Sequence, residues 1–152
     1  MPRLPLKIRD YQDGDLETLC EIDRICFPAD IAFTRAEFVL HLTHPKSITR
    51  VGEGLGGILG FAMAQKEMQS CAHIITLDVI PSARHQNIAT SLMETLHRVL
   101  KRQGVAAAIL EVSTRNIPAR RLYEKLDYQY LETIAGYYLG REDAYRMARF
   151  LN

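Results

Sequence analysis

Apolar positions along the chain fall into blocks of two periods, and each change of period marks a new element. Leu6 to Arg9 alternates as a short first strand. Asp13-Gly14-Asp15 then offers turn and capping chemistry ahead of Leu16, Leu19, Cys20 and the stretch Asp23 to Cys26, whose spacing of three and four is helical; Phe27-Pro28 ends that helix. Thr34-Arg35-Ala36-Glu37 has the S/T-x-x-E form of a capping box and predicts a second helix over Arg35 to Leu42. Ser47 to Gly52 predicts a strand, the glycine-rich run Gly52 to Gly60 a hairpin turn region, and Ile58 to Lys66 and Cys71 to Ile80 two further strands. From Ile88 the period lengthens. Ile88, Ala89, Leu92, Leu96, Val99 and Leu100 line one helical face running to about Arg102, with Gly104 as its stop. Val105 to Val112 is an almost unbroken apolar strand, and its helix-to-strand connection predicts a parallel, buried neighbour of the preceding strand. Pro118 suits a first helical turn before Ala119, Leu122, Tyr123 and Leu126. Tyr128 to Ala135 and Ala144 to Leu151 predict two closing strands around a loop holding Gly136 and Gly140. The order is β-α-α-β-β-β-α-β-α-β-β, an α/β fold on a mixed sheet.

Nothing in the 152 residues repeats or reads as a linker, so one domain over residues 1–152 is expected. A net charge of +1 supplies no general pull toward nucleic acid or an anionic membrane. Cys20, Cys26 and Cys71 form no C-x-x-C pair and are odd in number, which points to a reducing, cytoplasmic setting without a disulfide framework. Met1 to Asp10 has no apolar leader core, and no apolar stretch approaches the ~18 residues of a membrane span. No histidine or cysteine cluster has metal-ligand spacing, so no metal is expected. Monomer and homodimer are both left open.

The most informative unit is the strand, short connection and helix at Ile74 to Leu100. Between them lies Arg84-His85-Gln86-Asn87-Ile88-Ala89-Thr90. A strand feeding a helix N-terminus gathers unpaired N–H groups and the positive end of the helix dipole, a geometry that binds phosphate. Arg84 adds charge, Thr90 a hydroxyl, and small Ala89 permits close approach. The alternative is an ordinary helix start beside a solvated arginine.

These residues resemble motif A of the Gcn5-related N-acetyltransferase (GNAT) superfamily, Q/R-x-x-G-x-G/A, preceded by Leu77-Asp78-Val79-Ile80-Pro81. A second match follows in Leu110-Glu111-Val112, Asn116, Ala119 and Leu122-Tyr123-Glu124-Lys125-Leu126. Cys26-Phe27-Pro28 with the Thr34 capping box, and Gly136-Tyr137-Tyr138 with Glu142-Asp143-Ala144 and Met147, are similar to the branch that acetylates protein N-termini, typified by ribosomal-protein-alanine acetyltransferase. Asn87 stands for the first motif glycine and Asp127 for a helix-terminating one, both residues that tolerate positive φ. Ala89 is an accepted variant at its position, and Ser113 replaces an arginine.

The resemblance implies acetyl-CoA as co-substrate, held by Leu77, Val79, Arg84, His85, Gln86, Asn87, Ile88, Ala89, Thr90, Asn116 and Tyr123. It implies direct transfer to a primary amine, foremost the N-terminal amine of a protein or peptide. A small amine or a non-catalytic acetyl-CoA-binding module are the alternatives. Glu111 shares a strand face with Ala107 and Ile109, where desolvation would raise its pKa toward that of a general base; the residues alone favour a strand-end carboxylate paired with an arginine or facing solvent, and the resemblance reverses that preference. His73 is the rival base, or a structural histidine. Tyr123 is the implied acid for the departing thiolate, or else a core aromatic. Asn116 is a cofactor contact or a helix cap. The Val79 N–H, freed by strand splay, is the implied donor to the thioester carbonyl, and Phe27, Pro28, Tyr137 and Tyr138 are the implied acceptor-side residues.

Overall fold

The computed structural model of the chain describes residues 5–152. Residues 1–4, part of the stretch expected to carry no leader, lie outside the described residues. Strand β1 (Lys7–Asp10) and a 3-10 turn (Asp13–Asp15) lead to helices α1 (Leu16–Cys26) and α2 (Arg35–Thr43). Strands β2 (Ser47–Gly54), β3 (Gly57–Lys66) and β4 (Cys71–Val79) follow, then a second 3-10 turn (Pro81–Ala83) and helix α3 (Ile88–Arg102). Strand β5 (Ala107–Ser113), helix α4 (Ile117–Lys125) and strands β6 (Gln129–Tyr138) and β7 (Glu142–Phe150) complete the expected order.

Several boundaries moved, each for a local reason. The expected turn region Gly52 to Gly60 is mostly ladder, because Glu53 still pairs with Ile58 and Gly54 with Gly57. Strand β5 begins at Ala107 because Val105 belongs to the helix stop: its N–H donates to the Leu100 carbonyl (3.0 Å) and that of Gly104 to Lys101 (3.1 Å), with Gly104 at φ +84°. Strand β6 continues beyond Ala135 to Tyr138 through a bulge, where Gly136 takes φ +64° and donates to Asp143 Oδ1 at 2.9 Å. The Thr34 capping box forms in both directions, as expected.

The seven strands lie in the order β1-β2-β3-β4-β5-β7-β6. Among the described residues only the β4–β5 pair is parallel. Alternation along β3 divides the core. Ala62 and Ala64 face one side, where their short side chains leave room for Leu92, Met93, Leu96 and Leu100 of α3. Phe61 and Met63 face the other, against Leu19, Ile22 and Phe38 of α1 and α2.

Two irregularities position the site. Opposite β3, strand β4 carries one extra residue, Ile75, between the pairs Ala64–Ile74 and Met63–Thr76. The bulge resets the alternation, so His73, Thr76 and Asp78 all stand on the α1–α2 face opposite Gln65, Met63 and Phe61. The second irregularity is a splay. Strands β4 and β5 pair only through Cys71–Ala107, Ala72–Ala108 and His73–Ile109, while β5 remains paired with β7 along its whole length.

The β3–β4 contact is tight at Gly60, where an added Cβ would lie 2.5 Å from the Asp78 carbonyl oxygen. Gly60→Ala should therefore lower the unfolding free energy in urea by about 1–3 kcal/mol. Gly14→Ala, with nothing within 4 Å of the new Cβ, should stay within about 0.5 kcal/mol of the parent. Equal midpoints for the two variants would contradict the close approach.

Candidate active site

Beyond His73 the splayed strands open a cleft of ≈ 940 Å³. It is lined by β4 (Leu77 included), the end of β5 with Glu111, Tyr123 of α4 with Asn116 just before that helix, and Phe27, Pro28, Tyr137 and Tyr138. The structure thus gathers the expected acid, base and acceptor-side residues around one space. The segment Arg84 to Thr90 lies outside that lining, at the start of α3.

The edge of β4 shows what the splay does to the main chain. Ile80 donates to the Leu59 carbonyl at 2.9 Å, so Val79 sits opposite Gly60 in a pair that exchanges no hydrogen bonds. In such a pair N–H and C=O point away from the partner strand. By alternation Leu77, opposite Ala62, does the same. Both residues therefore aim main-chain groups at the side that β5 has left. The Val79 carbonyl accepts from Arg84 Nε (3.1 Å) and the Cys26 thiol (3.4 Å). Its N–H has no acceptor among the described residues.

At the start of α3 the sequence departs from glycine without losing the backbone shape. Asn87 takes φ +61° and His85 φ +64°, the left-handed region expected of Asn87. The first helical hydrogen bond runs from the Ser91 N–H to the Asn87 carbonyl at 3.0 Å. Among the described residues, none accepts from the N–H groups of Gln86, Asn87, Ile88, Ala89 or Thr90. Asp127 likewise adopts φ +66° after α4. Asn116 caps α4, its Oδ1 accepting from the Ala119 N–H at 3.2 Å, so the capping alternative is realised.

The expected electrostatics of Glu111 needs correction. Burial does push its carboxyl upward, but hydrogen bonds and charge from His73 and Arg146 outweigh burial and hold it below its ordinary value. His73 Nε2 lies 2.5 Å from Glu111 Oε2, while Arg146 Nε and Nη2 reach Oε1 at 3.3 and 3.2 Å. Both carboxylate oxygens are engaged. In return Glu111 raises His73 above the usual imidazole range against the opposing effect of burial, with Glu67 3.7 Å from Nδ1 on the far side. His73 is therefore no isolated structural histidine. Burial, reinforced by Asp78 and Tyr138, pushes the Tyr123 hydroxyl upward, so it keeps its proton at neutral pH. Arg146 went unremarked in the sequence. It stands directly opposite Glu111 in the β5–β7 ladder, which is visible only once the strand register is known. No group of three or more histidine, cysteine or acidic side chains is placed to hold a metal among the described residues, and no described helix is long and apolar enough to cross a membrane.

A parallel-edged cleft between splayed strands, ahead of a helix whose first amides are free, defines a class of acyl-transfer fold. Residues 16–128 match the acetyltransferase (GNAT) family, and the chain belongs to that family. It is an N-acetyltransferase. Among its relatives is an N-alpha-acetyltransferase of Saccharolobus solfataricus, 30% identical over 93% of this chain and 91% of that one. Among solved structures, the ribosomal-protein-S18-alanine N-acetyltransferase from Escherichia coli superposes with a TM-score of 0.89 at 25% identity, covering 97% of this chain and 95% of that one. Arabidopsis thaliana NAA60 in complex with acetyl-CoA shares the fold, with a TM-score of 0.85 at 22% identity over 96% and 98% of the two chains.

The His73–Glu111 pair makes a direct prediction. An NMR titration should place the His73 imidazole above its ordinary 6.5, and Glu111→Gln should move it downward, since Glu67 alone then opposes burial. Because His73 is raised and Glu111 lowered, the stabilisation from this pair is full between the unfolded carboxylate and unfolded imidazole values; it is lost as pH rises through the folded imidazole value and as pH falls through the folded carboxylate value. A midpoint unmoved by Glu111→Gln would contradict the coupling.

Proposed function

We propose that the protein transfers the acetyl group of acetyl-CoA to the N-terminal α-amine of a protein or peptide, directly, in a ternary complex. One observation carries this: at the splay a buried tyrosine hydroxyl and a carboxylate-backed histidine border a single cleft, and the Val79 N–H lies two residues along the same strand edge from Leu77 in its wall. The names of relatives that act on N-termini support the acceptor.

Each residue has a chemical task. An α-amine with a pKa of about 7.7–8.0 is already partly neutral near physiological pH, so a base of modest strength suffices to take its proton. His73 is that base. Glu111 orients its ring and stabilises the imidazolium that forms, while Arg146 keeps Glu111 ionised for that role; this assignment moves Glu111 from proton acceptor to the partner of the acceptor. As the amine nitrogen bonds to the thioester carbon, charge grows on the carbonyl oxygen, and the Val79 N–H is the donor facing it. One such donor is worth about 2.7–4 kcal/mol in acyl transfer. When the carbon–sulfur bond breaks, the Tyr123 hydroxyl donates to the thiolate; its raised pKa suits an acid that must hold its proton until then. The free amides from Gln86 to Thr90, with Arg84, hold the diphosphate of the coenzyme. Leu77 binds its chain through main-chain groups, Asn116 borders its path, and Phe27, Pro28, Tyr137 and Tyr138 receive the acceptor.

A panel of peptides with free N-termini, set beside small amines and assayed with labelled acetyl-CoA, tests the acceptor; labelling of small amines alone would overturn it. His73→Gln should lower kcat by roughly 10²–10⁴-fold. The acid limb of the kcat/KM profile should move to lower pH in Glu111→Gln, because the carboxylate that raises His73 is gone. Tyr123→Phe should lower kcat with little change in coenzyme affinity, and unaltered turnover would remove it from the mechanism.

A further inference from the structure

Two carboxyl groups meet in the interior at a place where the chemistry above uses neither. Asp23 of α1 and Asp78 of β4 are each only 1% exposed, each leaves one carboxyl oxygen unpartnered, and they are near enough to act on each other's protonation. Their four oxygens divide without remainder. Asp78 Oδ1 accepts from the Thr76 hydroxyl at 2.5 Å, and Asp23 Oδ2 accepts from the Phe33 N–H at 2.8 Å. The other two, Asp23 Oδ1 and Asp78 Oδ2, have no donor among the described residues. Two carboxylates removed from solvent and this near each other cannot both be ionised, so a proton between those last two oxygens completes the chain.

The chain joins two parts of the cleft. Phe33 closes the α1–α2 loop, whose Phe27 and Pro28 line the cleft; within that loop Ile31 and Ala32 donate only to Pro28. Asp78 immediately precedes Val79 on the open edge of β4. We propose that Asp23 and Asp78 share one proton, and that the hydrogen-bonded chain Thr76–Asp78–Asp23–Phe33 is a positioning device that fixes the acceptor-side loop relative to the Val79 donor. The kinetic consequence rests on the acetyl-transfer mechanism; the proton and the loop anchor do not.

The surroundings favour Asp78 as the protonated member. Burial and the neighbouring Asp23 hold it well above the ordinary carboxylate range, against the pull of Arg84 from the turn after β4. Asp23 is raised chiefly by burial, with Glu37 of α2 adding to it. Cys26 at the end of α1 and Tyr123 of α4 also face the pair, and both are pushed up by burial and by Asp78, so they remain neutral. A raised folded-state pKa gives a stabilisation that is full below the unfolded value and is lost as pH rises through the folded one.

Asp78→Asn separates the proton from the hydrogen bond, since the amide supplies a permanent N–H to Asp23 and its oxygen still accepts from Thr76. Urea unfolding between pH 4 and 9 (roughly, the span from free to buried carboxylate values) should show a one-proton dependence in the parent, up to about tenfold in the unfolding constant per pH unit, that the Asn variant lacks. Hydrogen exchange at the Phe33 amide should be unchanged in Asp78→Asn and faster by roughly tenfold or more in Asp78→Ala, which strands Asp23. In peptide acetylation, KM for the acceptor should rise in Asp78→Ala more than kcat falls, with the Asn variant near the parent. Identical pH dependence in parent and Asn variant overturns the shared proton. Unchanged Phe33 exchange in Asp78→Ala, or an acceptor KM that stays put while Phe33 loosens, overturns the positioning role. Should Asp78→Ala not fold, the comparison of parent and Asn variant decides. The first two measurements need no substrate, so a failure to acetylate any amine would leave them readable.

Discussion

The early end of the β4–β5 ladder is the constraint from which the functional geometry follows. Two parallel strands that pair for three residues and then separate leave main-chain groups without the partners a sheet would give them. An unpaired buried group costs about 1–3 kcal/mol. The fold meets part of that cost by turning Arg84 and Cys26 onto the Val79 carbonyl. The N–H on the same residue is left open, and an open donor beside a cleft is what stabilisation of a developing oxyanion requires. Strand β5 tolerates the separation because β7 pairs with it from Ala107 to Ser113. Helix α4, capped by Asn116 just past the end of β5, brings Tyr123 into the space between the strands.

Side-chain electrostatics near the splay depends on the extra residue in β4. With Ile75 bulged, His73, Thr76 and Asp78 share the α1–α2 face, and two buried carboxyl sites arise with opposite fates. Glu111 meets an imidazole and a guanidinium and is held ionised, despite burial. Asp78 meets another carboxyl and keeps a proton. Burial acts the same way on both; the sign of the neighbouring charge decides. In this way one sheet face supplies a base strengthened by its partner and, a few residues on, a hydrogen-bonded clasp that holds a proton.

What could be read from the sequence was what local chemistry determines. The 3.6-residue period of α3, the apolar run of β5 and the Thr34 capping box each depend on a few consecutive residues, and the left-handed backbone of Asn87 and Asp127 follows from side-chain type. The family pattern also picked out Glu111 and Tyr123, which the structure brings to one cleft. What was not legible needs register. The Glu111–Arg146 pair joins residues 35 apart, and the His73–Glu111 pair residues 38 apart. Neither follows from spacing, and a one-residue bulge inverts any guess about the face on which Asp78 lies. Hence desolvation alone gave the wrong direction for Glu111. The glycine run from Gly52 to Gly60 does hold the hairpin turn, at Leu55 and Gly56, but Gly60 serves a different purpose, where two strands approach too closely for a Cβ.

The most direct measurement is a crystal structure of the protein with acetyl-CoA. The expected result is the thioester carbonyl oxygen within about 2.7–3.1 Å of the Val79 nitrogen, the diphosphate on the amides from Gln86 to Thr90, and the sulfur beside the Tyr123 hydroxyl. A coenzyme bound elsewhere, or β5 closed against β4 with the Val79 N–H paired in the sheet, would contradict the central claim that the splay is the acyl-binding site.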